Sequence, residues 1–284
     1  MDGKNRLLIS TKRVLGKISF LRKNHRKVLK GYLNLKEAIV GIPSSTKVME
    51  REWDFLIVLD ACRYDMFKEN NFIEGDLKKI NSTGSSTTKW IKNNFDGKYK
   101  DTVVVSSNPH LSQLRLKKII GHNPFFHIEN VWDYGWDEDL NTVPPHAVNE
   151  GAKKIIDQYK DKRIIIHYMQ PHYPFIGEHQ IIHSGVDSLR KEGLGDGKER
   201  NKERNPWDDL AEGEIDLDEF MKAYNSNLKL VLKYVQKLLP HLNGKVIITS
   251  DHGNCIGEMG LHGHPGGFNI KPLIEVPWFQ VKNK

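Results

Sequence analysis

The sequence predicts an α/β protein, a three-layer sandwich with a mostly parallel central sheet and helices on both faces. Two observations predict it. Short β-branched apolar runs recur at residues 53–60, 102–107, 163–168 and 246–248, and a run that is apolar at nearly every position reads as a strand buried on both sides. Helical patterns alternate with these runs, the arrangement that builds a parallel sheet. The 284 residues suffice for a large core.

Residues 1–50 read as a basic amphipathic arm. They hold 12 Lys/Arg and 3 Asp/Glu, a balance of +9, and the other 31 Lys/Arg and 33 Asp/Glu leave the body at −2. Within residues 7–39 two helical pieces are expected. Val14, Leu15, Ile18 and Leu21 mark one face, and Val28, Leu29, Tyr32 and Leu33 continue it. Lys and Arg fill the other side, so the arm packs on the body or lies on an anionic membrane surface. No aromatic platform is interleaved with the basic residues, and no nucleic-acid partner is expected. No apolar run approaches the roughly 18 residues of a membrane span. Leu7, Leu8 and Ile9 run at once into Ser10, Thr11, Lys12 and Arg13, which is no secretory signal. Cys62 and Cys255 read as small buried thiols in a reducing compartment. The expected location is therefore cytoplasmic, with the arm peripheral on the inner membrane face.

Residues 51–284 read as the body of the protein. The strand at 53–60 ends in Asp60, followed by a polar stretch to Ile80 and then by a hydroxyl cluster, Ser85, Ser86, Thr87 and Thr88, ahead of a short helix through Asn94. Hydroxyls there serve as caps, and they also stand in a positive dipole that favours an anion or an alkoxide. Pro144 and Pro145 start a helix through about Tyr159. The strand at 163–168 leads to His172, held between Pro171 and Pro174. Residues 184–206 are polar and glycine-rich and read as a mobile insertion over a site. The clearest helix runs from Asp216 to Leu239 and stops at Pro240. The strand at 246–248 then ends in Thr249-Ser250-Asp251-His252-Gly253, where Gly253 is expected to permit a sharp turn. A glycine-rich loop with His262 and His264 follows, and then a last strand within 273–281, where Pro277 implies an edge or a break.

In open α/β sheets ligands bind beyond the carboxyl ends of the strands. Asp60, His172, Asp251 and His252 all stand there. Carboxylates and imidazoles beside a hydroxyl cluster make a kit for metal-assisted ester chemistry. An Asp and His donor set suits zinc or manganese, and calcium is less at ease with imidazole.

These residues resemble the alkaline phosphatase superfamily, especially its sulfatase-like and phosphoethanolamine- or phosphoglycerol-transferase branches. The likeness rests on Val58-Leu59-Asp60-Ala61-Cys62-Arg63, Gly84-Ser85-Ser86-Thr87, Gln170-Pro171-His172-Tyr173-Pro174 and Thr249-Ser250-Asp251-His252-Gly253 with Gly257-Glu258. It implies that Asp60, Asp251 and His252 hold a first metal. It also implies that a hydroxyl of the cluster is the nucleophile and touches that metal: Thr87 first, then Ser86, then Ser85. His172 and His264 would bind a second, weaker metal or the substrate anion, with His262 competing for the place of His264. The implied activity is hydrolysis or transfer of phosphate or sulfate esters, lipid- or glycan-linked, through a covalent Thr/Ser intermediate. The Cys/Ser-x-Pro-x-Arg motif of formylglycine sulfatases is absent, Ala61 follows Asp60, and Tyr168 stands where two-zinc phosphatases carry an Asp four residues before the His. The competing reading is a catalytically idle module that binds a membrane surface or a glycan.

Overall fold

The computed structural model describes residues 24–35, 44–181, 187–194 and 204–282. Two compact units divide the chain, residues 1–43 with Gly267–Asn269, and residues 44–266 with 270–284. In the first, residues 24–35 form helix α1, with Leu29 and Leu33 buried and Val28, Tyr32 and Leu35 exposed. The expected helix over 7–23 and 36–39 lies outside the described residues, and so do 184–186 and 195–203 of the expected insertion.

The second unit runs β1 (Phe55–Asp60), α2 (Tyr64–Asn70), β2 (Gly75–Asn81), α3 (Thr87–Asn94), β3 (Tyr99–Ser106), α4 (Gln113–Ile120), β4 (Phe125–Asn130), α5 (Val131–Tyr134), α6 (Pro145–Gln158) and β5 (Arg163–Pro171). It continues with α7 (Asp187–Leu194), α8 (Pro206–Glu212), α9 (Leu217–Leu238), β6 (Val246–Ser250), β7 (Cys255–Ile256), β8 (His262–Gly263), α10 (Lys271–Ile274) and β9 (Glu275–Val281). Seven strands form one sheet in the order β2-β9-β6-β1-β5-β3-β4. From β6 to β4 every pair is parallel, while β9 runs antiparallel to both its neighbours.

The period of two along each strand sorts the sheet's side chains into two cores. Ile57, Leu59, Ile164, Ile166 and Ile248 pack with the apolar faces of α6 and α9. Leu56, Val58, Ile165 and Ile247 pack on the opposite side with Trp90, Ile91 and Leu116 of α3 and α4. Helices therefore cover both faces, the predicted three-layer sandwich. β1 is central, with β5 on one side and β6 on the other.

Three expectations are corrected. Of the edge or break expected at Pro277, β9 is not an edge strand but does show the break on its β6 side. Its ladder to β6 ends at the Thr249–Trp278 pair, so the missing N–H of Pro277 is not called on there, and Thr249 Oγ1 donates to the Pro277 carbonyl at 2.7 Å. The polar stretch before Ile80 contains α2 and the edge strand β2, whose largely exposed Lys78 and Lys79 are the charges that keep a sheet edge from pairing with another chain. Gly253 does not adopt a positive φ. A Cβ there would lie 2.1 Å from the Pro272 carbonyl oxygen, so close backbone approach, not a left-handed turn, excludes a side chain.

Candidate active site at the carboxyl ends of the strands

The central position of β1 explains why distant residues meet. Asp60 ends β1, Asp251 and His252 follow β6, His172 follows β5, and Asn108 lies just past β3. Asp60 continues the side of Leu56 and Val58, and Asp251 that of Ile247 and Thr249, the side covered by α3. Thr87, the first residue of α3, comes down on them. Its Oγ1 donates to Asp251 Oδ2 at 2.7 Å and lies 3.3 Å from His252 Nε2. Ser86 is the N-cap, its hydroxyl accepting from Lys89 N at 3.4 Å. The Ser85 hydroxyl is buried with no partner. Of the three candidate hydroxyls, Thr87 is the one in contact with both Asp251 and His252.

Two carboxylates stand together in this buried setting. Asp60 Oδ2 accepts from Asn108 Nδ2 at 2.6 Å, and Asp251 Oδ1 accepts from the Ala61 and His252 amides at 3.0 and 2.8 Å. Burial and the Asp251 charge push the Asp60 carboxyl well above the ordinary range, against the Asn108 hydrogen bond. Burial also opposes ionisation of Asp251, but His252, His167, the Ala61 amide and the Thr87 hydroxyl outweigh it and hold this acid low. The protein alone thus supports one negative charge here comfortably and a second one poorly.

Three histidines near the site anchor the same ring nitrogen, Nδ1. A carbonyl oxygen can only accept, so each Nδ1 that meets one carries a ring hydrogen, and in an uncharged ring the lone pair then stands on Nε2. His252 Nδ1 donates to the Gly253 carbonyl at 2.8 Å, His172 Nδ1 to the Tyr173 carbonyl at 2.6 Å, and His264 Nδ1 to the Asn254 side-chain oxygen at 2.8 Å. His252 Nε2 lies 3.4 Å from Asp251 Oδ2 and 3.9 Å from Asp60 Oδ1. The His264 ring centroid is 4.5 Å from that of His252 and 5.3 Å from that of His172. Desolvation pulls His172 down to about 4; desolvation and the neighbouring histidines put His264 well below its ordinary value. Near neutral pH both rings are uncharged. His262, on β8, pairs against Ile256 instead, and His264 is the one that joins His252 and His172.

The sequence reading missed His167. It sits inside β5, opposite Val58 of β1 and Ser106 of β3, on the same side as Asp60 and Asp251. It is fully buried and stacks on Trp90 at 6.3 Å, and neither ring nitrogen has a hydrogen-bond partner. One ligand atom each of Asp60, His167 and Asp251 lie within 4.8 Å of one another, so the three could hold a metal ion. Burial lowers the His167 pKa to about 4, leaving the ring neutral. A buried imidazole without partners beside two carboxylates and the ring of His252 is a donor set that a divalent cation would satisfy. Period-two alternation from Ile165 was the available signal, because it puts a polar ring into an apolar layer.

No known family profile matches the chain, and no curated protein matches its sequence. Solved structures match its fold. The integral membrane protein lipooligosaccharide phosphoethanolamine transferase A from Neisseria meningitidis superposes with a TM-score of 0.52 at 14% identity, over 97% of this chain and 59% of that one. The chain thus spans well under two thirds of that enzyme. The soluble domain of the same transferase gives a TM-score of 0.52 at 12% identity, over 84% of this chain and 79% of that domain. Among the described residues, no helix is long and apolar enough to cross a membrane.

Proposed function

We propose that the protein is a metal-dependent phosphotransferase or phosphohydrolase in which Thr87 is the nucleophile. One observation carries this reading: the Thr87 hydroxyl, at the N-terminus of α3, is aimed at Asp251 Oδ2 and borders His252 Nε2. Asp60, Asp251, His252 and Thr87, joined by His167, would hold a divalent cation, and their mixed oxygen and nitrogen character suits zinc or manganese. Such a cation supplies positive charge that makes the hydroxyl a competent nucleophile near neutral pH and offsets phosphoryl charge.

The residues themselves account for the rest. Asp251 Oδ2 receives the hydrogen of the Thr87 hydroxyl and orients its lone pairs. The α3 N-terminus adds a positive field where phosphoryl oxygens gather. Attack by Oγ1 forms the Thr87–phosphorus bond as the ester oxygen departs, and water or an acceptor alcohol takes the phosphoryl group in the second step. His172 and His264 border the side where leaving and entering oxygens pass, or hold a second cation there. Phosphate is favoured over sulfate because no formylglycine motif exists in the chain.

A lipid-linked ester fits the charge distribution. The +9 arm and the exposed Val28, Tyr32 and Leu35 of α1 together favour an anionic membrane surface. The phosphoethanolamine transferase named above is itself an integral membrane protein acting on a lipooligosaccharide, which is in keeping with such a substrate.

The test is a panel of phosphate mono- and diesters and sulfate esters with wild type, Thr87→Ala and Ser86→Ala. Turnover should vanish in Thr87→Ala with bound metal retained, and Ser86→Ala should keep most of it. Intact-protein mass spectrometry of quenched wild type should show one added phosphoryl group, mapped to Thr87. Full activity of Thr87→Ala would remove the nucleophile from this account.

A further inference from the structure

The tautomer of His264 is held differently from those of His172 and His252. The latter two hydrogen-bond to backbone carbonyls, which accept and nothing else. His264 instead meets a side-chain amide, Asn254, which has an accepting end and a donating end. Were the amide turned over, its NH2 would face Nδ1, and the ring hydrogen would move to Nε2. Something must therefore orient Asn254.

We infer that Tyr224 sets the orientation of Asn254 and that the pair are positioning residues holding the neutral His264 ring in its Nδ1–H form, with the lone pair on Nε2. The order begins at a group that can only accept. The Ala61 carbonyl, next to Asp60, receives the hydroxyl hydrogen of Tyr224. A phenol has one hydrogen, so toward Asn254 the Tyr224 oxygen offers only lone pairs. The amide accordingly turns its Nδ2 to Tyr224, at 3.0 Å, and its Oδ1 to His264 Nδ1, at 2.8 Å. Tyr224 and Asn254 are both fully buried, so no bulk water offers either one a substitute partner. Arg63 pins the backbone of the same segment, with Nη1 donating to the Asn254 carbonyl at 2.9 Å and to Glu258 Oε1 at 2.6 Å. A chain of hydrogen bonds with a single polarity thus runs from the residue after Asp60, through α9, to the far side of the site.

The proposed function supplies the role of His264 as a ligand, while the tautomer itself is independent of that role. The experiment separates them. Long-range proton–nitrogen NMR spectra of the full chain, labelled at histidine nitrogen and recorded near neutral pH, report which ring nitrogen carries hydrogen. Wild type should show His264 as the Nδ1–H form in at least about tenfold excess, because the reversed amide leaves buried groups facing their like. Tyr224→Phe removes the hydroxyl, and Asn254→Leu removes the amide; each should bring the other tautomer to comparable population. Asn254→Asp, which retains an accepting oxygen, should keep Nδ1–H. Zinc titrated against the same proteins should bind about 10–100-fold more weakly at its second site in Tyr224→Phe and Asn254→Leu. An Nε2–H ring in wild type, or an unchanged Nδ1–H ring in both variants, would overturn the inference. Tautomers that shift as expected with zinc binding unmoved would uphold it and remove His264 from the metal.

Discussion

Replacing His167 by leucine should have opposite effects on the metal-free and metal-loaded protein. In the metal-free chain the ring is fully buried and neither nitrogen has a partner. Each buried unsatisfied polar group costs about 1–3 kcal/mol. Leucine is close in size, so His167→Leu relieves both costs and gives up the stacking on Trp90, at 6.3 Å, worth about 0.5–1.5 kcal/mol. The net expectation is a gain of about 0.5–5.5 kcal/mol. At roughly 2–4 °C per kcal/mol for large domains, the metal-free Tm should rise by several degrees. With zinc or manganese present the sign reverses, because one donor is lost. Each tenfold loss of affinity removes about 1.4 kcal/mol of ligand-induced stabilisation at saturating metal. Thermal denaturation of wild type and variant, after chelation and again with metal over a concentration series, measures both halves. A lower metal-free Tm together with an unchanged metal-induced shift would show that His167 is an ordinary core residue, and the reasoning would fail.

Other outcomes follow from the same geometry. Desolvation lowers His167 and His172 from the ordinary value near 6.5 to about 4. Unfolded rings then bind protons that the native rings refuse, so metal-free stability should fall as pH drops from about 6.5 toward 4, by about 3 kcal/mol per ring, and the loss should level off below; denaturant titrations across this range check it, and His167→Leu should remove its share of the slope. Gly253→Ala sets a Cβ 2.1 Å from the Pro272 oxygen, and the backbone shift should cost about 1–3 kcal/mol while weakening metal binding through the displaced Asp251 and His252, as calorimetry with zinc would show. Deleting residues 1–40 should reduce binding to anionic vesicles and leave hydrolysis of a small soluble ester intact; unchanged sedimentation with vesicles would retire the arm's role.

Much of the site was legible because its residues end strands. Asp60, Asp251 and His172 each follow an apolar run, and the rule that ligands sit beyond carboxyl ends needs no register. Thr87 was legible only as one of several hydroxyls, since a cap and a nucleophile look alike until the helix start is placed; the cap falls on Ser86. His262 and His264 share similar glycine-rich surroundings, and only the β7–β8 pairing assigns one of them to that ladder. His167 was hidden inside a strand, where a polar side chain gains meaning from the neighbours that register gives it. Tyr224 and Asn254 act through partners far away in the chain, Ala61 across 163 residues in one case, and no local pattern announces such contacts. β2 escaped notice for a simpler reason: its residues are mostly exposed, so they carry no apolar run.

The most direct test of the account is metal content measured together with activity. Protein purified without chelator should contain zinc or manganese. It should hydrolyse or transfer a phosphate ester, lose that activity on chelation and regain it when the metal is restored. A protein that binds no divalent cation even in excess, with Asp60, Asp251, His252 and His167 intact, would contradict the account at its centre.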